Sequence, residues 1–75
     1  MTRYHAALQS RRPVTTIPEG ATRERIEASI AEITAALRGP MTNTERAMLV
    51  HDRADARDVL RLIVERDAAA DGGQA

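Results

Sequence analysis

Apolar side chains in residues 22–38 recur at spacings of four, three and four positions, which is the period of one helix face. Ile26, Ile30, Ile33 and Leu37 occupy these positions. The stripe is narrow, as in the seam of a coiled coil, whereas a helix that faces a large core carries a broader one. The pattern therefore predicts a helix that packs along a seam against another helix.

Local signals predict where this first helix begins and ends. Thr22 is a suitable N-cap, because its hydroxyl can accept a hydrogen bond from a backbone N–H of the first turn. Gly39 and Pro40 form a stop signal directly after Arg38. The first helix is accordingly predicted from Thr22 to Arg38.

A second helix is predicted from Asn43 to Ala70. Thr42 and Glu45 have the spacing of a capping box, and no Gly or Pro interrupts the segment that follows. Its seam comprises Leu49, Arg53, Ala56, Leu60 and Ile63, with spacings of four, three, four and three residues. Arg53 is the one charged position on that seam.

The middle of the second helix is poor in large apolar side chains over residues 52–58. Either the helix is continuous with a solvated middle, or it bends near His51 and Asp52 caps a new segment. Ala and Arg favour helix strongly, so a continuous or mildly kinked helix is the preferred prediction.

Two helices with complementary seams predict an all-α helical hairpin. Pairing of this hairpin with that of a second copy predicts a dimeric four-helix arrangement. We expect Arg53 to extend past the apolar contacts or to pair with Glu27 or Glu32 of a facing helix. The predicted core or dimer seam comprises Ile26, Ile30, Ile33, Leu37, Leu49, Leu60 and Ile63.

Residues 59–64 carry five large apolar side chains in six positions. On a helix these side chains spread around most of the circumference, so one neighbouring helix cannot cover them all. Val59, Leu62 and Val64 are therefore assigned to a second interface or a partner-binding surface. In so short a chain we expect no third large element to cover them, so a second subunit is the predicted cover.

Composition adds a reason to expect association. Ala accounts for 14 of the 75 residues, and Leu, Ile and Val together for only another 14. A chain of this size buries only about 60% of its unfolded surface, and the absence of Cys excludes a stabilising disulfide. Oligomerisation is the expected source of the missing stability. Arg without Lys, beside abundant Ala, is typical of a GC-rich genome such as that of an actinobacterium or its phage.

Three regions differ in composition. Residues 1–20 form a basic arm with three Arg against one Glu, residues 21–70 form the helical hairpin domain, and residues 71–75 are predicted to be a disordered tail. Over the whole chain 11 Arg balance 11 acidic residues, so the formal net charge is zero.

Within the arm, a short helix over residues 2–12 and a short extended piece over residues 14–17 are predicted, because Pro disfavours helix in the residue before it. An alternative is an earlier start of the first helix, since Thr16 and Glu19 also have capping-box spacing. That alternative would place Gly20 inside the helix, at a cost in stability.

Catalytic chemistry has little support in the sequence. His5 and His51 are the only general acid–base candidates at neutral pH, and neither has a neighbour at nucleophile or metal-ligand spacing. The chain has no Gly-rich phosphate loop, and without Cys it has no zinc-thiolate site. We therefore predict no enzyme activity, no catalytic residue, no cofactor and no metal.

The predicted function is that of a small non-enzymatic adaptor or regulator that acts by binding protein. Its expected partners are itself, as a homodimer or higher oligomer, and another protein. No apolar run approaches the roughly 18 residues of a membrane span, and no signal-peptide core follows Arg3. A cytoplasmic location without membrane association is therefore expected.

The alternative function is that of a dimeric DNA-binding regulator. Val14-Thr15-Thr16-Ile17 followed by two helices has the order of a ribbon-helix-helix repressor or antitoxin, a likeness of topology alone. In that fold a short strand pairs across the dimer and enters the major groove, so residues 11–17 would read DNA. The candidate nucleic-acid contacts are Arg3, Arg11, Arg12 and Thr15.

Charge disfavours this alternative. Residues 21–75 carry 8 Arg against 10 acidic residues, a net charge of −2, which suits a duplex-binding surface poorly. The Arg residues on one side of the second helix alternate with acids, so a solvated face of mixed charge is predicted there. This face comprises Arg46, Arg53, Arg57 and Arg61 with Asp52, Asp55 and Asp58.

Overall fold

The two predicted helices are present and lie against each other. The structure is a computed structural model that describes residues 11–72, and in this range it contains two α-helices and no strand. α1 comprises Arg23–Ala36 and α2 comprises Asn43–Gly72, and the two pack together. The all-α prediction is therefore confirmed for this range. Most of the short helix predicted over residues 2–12 lies outside the described residues.

α1 begins after Thr22, which is its N-cap as predicted. Thr22 has extended backbone angles, φ −118° and ψ 158°, and its Oγ1 accepts a hydrogen bond from the Arg25 N–H at 3.2 Å. The Thr22 carbonyl accepts the first helical bond, from the Ile26 N–H at 3.0 Å. Glu24 places a negative charge in the first turn, where the helix dipole favours it.

α1 ends at Ala36, two residues earlier than predicted, with Leu37 as its C-cap. The N–H groups of Arg38 and Gly39 bond to the carbonyls three residues before them, at 3.2 and 3.1 Å, so the chain leaves the helix through a tightened turn. Gly39 does not adopt a positive φ. The stop therefore owes more to Pro40, which disfavours helical geometry in the residue before it.

α2 is one helix of 30 residues, and the prediction of a continuous helix is confirmed. Its N-cap is Thr42, whose Oγ1 accepts from the Glu45 N–H at 3.1 Å. No break divides the helix at His51, and residues 53–56 are half-buried. Among the described residues, no helix combines the length and apolar character needed to cross a membrane.

The fully buried core is small and lies on α2. Within residues 11–72 it consists of Val59 and Ile63, which are 5% and 0% exposed. The two residues are four apart and so share one helix face. α1 contributes no fully buried residue. The seam residues other than Ile63 are all half-buried: Ile26, Ile30, Ile33, Leu37, Leu49 and Leu60.

The N-terminal arm reaches α1 through a tight turn. The Ala21 N–H bonds to the Pro18 carbonyl at 3.1 Å, and Gly20 has a φ of +80°. A positive φ at the third residue is the requirement of a type II turn. The alternative early start of α1 is therefore wrong. Val14 and Ile17 are half-buried while Thr15 and Thr16 are exposed, so one edge of the arm faces the hairpin.

Val59, which was assigned to a second interface, is buried within the chain itself. At about 100° per residue, Val59 and Ile63 lie between two sides of α2. One side carries Arg53, which hydrogen-bonds to α1, and the other carries Asp58, which hydrogen-bonds to the arm. The arm is thus a third element of the chain, and it lies beside the face for which a second subunit was expected.

The two glycines at the ends of α1 provide a matched pair of substitutions. Gly20→Ala is expected to lower the free energy of unfolding by about 1–2 kcal/mol, because an L-residue at φ +80° is strained. Gly39→Ala is expected to change it by less than about 0.5 kcal/mol, since the new Cβ would lie 3.5 Å from the Ala36 carbonyl oxygen, an ordinary contact. Urea denaturation followed by circular dichroism measures both. Equal losses would contradict the turn described here.

Candidate functional site

An ion-pair cluster joins the arm to the middle of α2. Arg11 Nη1 lies 2.8 Å from Asp55 Oδ1 and 2.6 Å from Asp58 Oδ2. The backbone N–H of Val14 donates to the same Oδ2 of Asp58 at 3.1 Å. We call Asp55 and Asp58 the acidic notch, and it is the best-defined polar site among the described residues.

Helix geometry brings the two carboxylates of the notch together. Asp55 and Asp58 are three residues apart on α2, so their side chains project from neighbouring positions on one face. Arg11 reaches them because the arm, which turns into α1 at residues 18–21, contacts α2 at this point. The Arg11 side chain is only 14% exposed, which shows that the arm lies against the helix there.

The notch holds opposite charges in place at neutral pH. The hydrogen bond from Arg11 lowers the pKa of Asp58 below its usual value, against an opposing contribution from partial burial. The Val14 N–H and the charge of Arg61 lower that pKa further. The same hydrogen bond raises the pKa of Arg11. Asp58 is therefore an ionised acceptor and Arg11 a cationic donor.

The guanidinium group of Arg11 is not fully satisfied in this position. Both of its ion-pair contacts use Nη1. Its Nε is buried and has no hydrogen-bond partner within residues 11–72. Arginine commonly binds carboxylates through two parallel N–H groups, so Arg11 is held in less than its best geometry.

His51 adjoins the notch and extends the cluster. Its Nδ1 lies 3.5 Å from Asp55 Oδ2, one helical turn away. His51, Asp52 and Asp55 could each offer one ligand atom to a metal ion within 4.8 Å of the others. The expectation that His51 has no neighbour at metal-ligand spacing is therefore wrong, because Asp55 lies one helical turn away at i+4. Arg11 opposes a metal here, since its positive charge lies against Asp55.

Two open depressions lie on either side of Met48, which is 62% exposed. One has a volume of about 370 Å³ and is lined by Ala47, His51 and Asp52, together with Met48. The other has a volume of about 290 Å³, and Glu45 and Leu49 contribute to its lining. Both are wide open to solvent, as expected of surface hollows rather than of an enclosed ligand pocket.

The residues assigned to a second interface do not share one surface. Val59 lies in the core, Leu62 is half-buried, and Val64 is 39% exposed. Their spacing explains this, because a step of five residues turns the chain about 140° around the helix. Whether Leu62 and Val64 contact a partner stays a prediction.

The candidate nucleic-acid contacts also lie in different environments. Arg11 donates to the acidic notch, while Arg12 and Thr15 are exposed. Arg3 lies outside the described residues. DNA binding by the arm stays a prediction, although Arg11 is already paired with acids of its own chain.

Two arginines of α2 have roles that their spacing did not indicate. Arg46 donates from Nη1 to the Leu37 carbonyl at 2.7 Å and from Nη2 to the Gly39 carbonyl at 3.3 Å, so it caps the end of α1. Arg53 Nη1 lies 3.4 Å from Thr34 Oγ1. Within the chain Arg53 thus contacts a hydroxyl of α1, and its pairing with Glu27 or Glu32 of a facing helix stays a prediction.

Comparison with known proteins gives no relative from which to transfer a function. No protein-family model matches the chain, and no curated protein or solved structure shows significant similarity to it. A function has to be inferred from the chain's own contacts. The contacts that call for explanation are the acidic notch with its bound arm and the half-buried seams of the two helices.

Proposed function

We propose that this chain is a small non-enzymatic adaptor or regulator that pairs with a second copy of itself and binds another protein. The observation that carries the proposal is the incomplete burial of the hairpin. Among the described residues only Val59 and Ile63 are fully buried. The long apolar side chains of α1 all stay partly exposed, although their spacing is that of a packing seam. A second copy packed on the partly exposed seams would cover them in a four-helix arrangement.

The arm limits where that second copy can pack. It occupies the side of α2 that carries Asp55 and Asp58. The half-buried residues of α1 and the apolar positions around Met48 stay accessible. We therefore place the self-association surface on α1 and the first half of α2.

Light scattering coupled to size exclusion tests the proposal. Between about 1 and 100 µM, the measured mass is expected to rise from that of one 8.2 kDa chain towards twice that value. The melting temperature is expected to rise by several degrees over the same range, because a hundredfold change in concentration shifts a dimer's stability by about 2.7 kcal/mol. A single-chain mass at 100 µM, with a melting temperature independent of dilution, would contradict self-association.

A further inference from the structure

The acidic notch already holds a ligand of defined chemistry. One guanidinium group lies between two carboxylates, and a backbone N–H three residues later binds one of them. Arg11 is separated from Asp55 and Asp58 by 44 and 47 residues. The contact is therefore not a local helix pair, and it has the form of an extended segment docked on a helix.

The fit of this resident ligand is imperfect. Arg11 uses Nη1 for both carboxylates, while its buried Nε has no acceptor within residues 11–72. A buried donor without an acceptor carries a desolvation cost. An arginine that approached without the constraint of this tether could present Nε and a terminal nitrogen together to one carboxylate.

The notch is open to solvent on its Asp55 side, and the arm can leave it without opening the hairpin. The Asp55 side chain is 37% exposed, and that of Asp58 is 14% exposed with the arm in place. The contacts that join α1 to α2, such as those of Arg46 and Arg53, involve no residue of the arm. Displacement of residues 11–14 therefore leaves these helix–helix contacts in place.

We propose that the acidic notch is a binding site for an arginine-bearing extended segment of a partner protein, and that residues 11–14 occupy it as a displaceable ligand in cis. The partner segment needs an arginine and, three residues later, a residue other than proline, since Asp58 accepts a backbone N–H at that position. Lysine is a poorer fit, because it offers a point charge in place of a planar fork. The inference rests on the proposed function and names the chemistry of its protein partner.

Peptide binding to the full chain tests the site directly. The probe is a synthetic peptide of residues 9–17, which carries Arg11 and Val14. The chain with Arg11→Gln is expected to bind it at least tenfold more tightly than the unsubstituted chain, because the tethered competitor is weakened. Titration calorimetry gives the affinities, and amide chemical shifts of Asp55 and Asp58 report where the peptide binds.

Matched variants separate the notch from general charge attraction. Adding Asp58→Asn to Arg11→Gln is expected to weaken peptide binding at least tenfold. Adding Asp52→Asn, at an exposed acid of the same helix, is expected to leave binding within twofold. A peptide with Arg11→Lys is expected to bind several-fold more weakly than the parent peptide. Circular dichroism confirms that each chain remains helical.

Three outcomes would overturn the inference. The first is a folded Arg11→Gln chain that does not bind the peptide, and the second is binding that Asp58→Asn and Asp52→Asn reduce equally. The third is a dimer that Asp58→Asn alone converts to single chains, since the notch would then be filled by the arm of a second copy. A dimeric chain that fails to bind the peptide overturns this inference alone, and a monomeric chain that binds it overturns self-association alone.

Discussion

Ile63→Ala is expected to lower the free energy of unfolding by about 2–5 kcal/mol, because Ile63 is fully buried and alanine leaves a cavity between α2 and its neighbours. The free energy of unfolding of a small domain is only about 5–15 kcal/mol. The loss is therefore large enough to broaden or remove the cooperative melting transition. Urea denaturation and thermal melting, both followed by circular dichroism at 222 nm, measure it.

The control for this substitution is the neighbouring residue. Val64 is 39% exposed, so Val64→Ala is expected to change the free energy of unfolding by less than about 0.5 kcal/mol. Alanine also has the higher helix propensity, which offsets the small loss of contact. If the two variants were destabilised to the same extent, the core would not be centred on Ile63.

Asp58→Asn is expected to reduce stability at pH 7 and to make it less dependent on pH in acid. Arg11 and the Val14 N–H hold the pKa of Asp58 below its usual value of 3.8 in the folded chain. Between the lowered and the usual pKa the unfolded chain binds more protons, so stability rises with pH there. The contribution is fully present above about pH 5 and is lost as pH falls through 3.8 towards the lowered pKa.

The pH dependence of urea denaturation from pH 7 to pH 2 measures this contribution. The unsubstituted chain is expected to lose stability more steeply below pH 5 than the Asp58→Asn chain. Asp52→Asn, which alters an exposed carboxylate of the same helix, serves as the control and is expected to keep the steep dependence. Parallel curves for the unsubstituted and Asp58→Asn chains would show that Asp58 is not held by Arg11 in solution.

The local features of this fold were predictable because their causes are local. Thr22 and Thr42 cap the two helices through backbone N–H groups only three residues away. The continuity of α2 follows from its Ala and Arg content and from the absence of Gly and Pro in its interior. Such features depend on a short window of sequence, so a single sequence is enough to place them.

The arm and the notch were not predictable in the same way, because they depend on contacts between distant residues. The acids of α2 alternate with Arg, a pattern typical of a solvated face, and nothing near Asp58 indicates that Arg11 binds it. The sequence does not show that the arm contacts Asp58, next to Val59, so a second subunit was expected on that face. Only Val14 and Ile17 form the half-buried edge of the arm. Two apolar residues are too few to show a hydrophobic period in the sequence.

The separation of the arm from its site along the chain also indicates an order of folding. The contact between Arg46 and the Leu37 carbonyl closes a loop of 9 residues, whereas those of Arg11 with the notch span 44 and 47. Longer loops cost more entropy to close, and the two carboxylates share a face only once α2 is helical. We therefore expect the hairpin to form first and the arm to dock last. In unfolding we expect the arm to leave first, which exposes the notch before the helices separate.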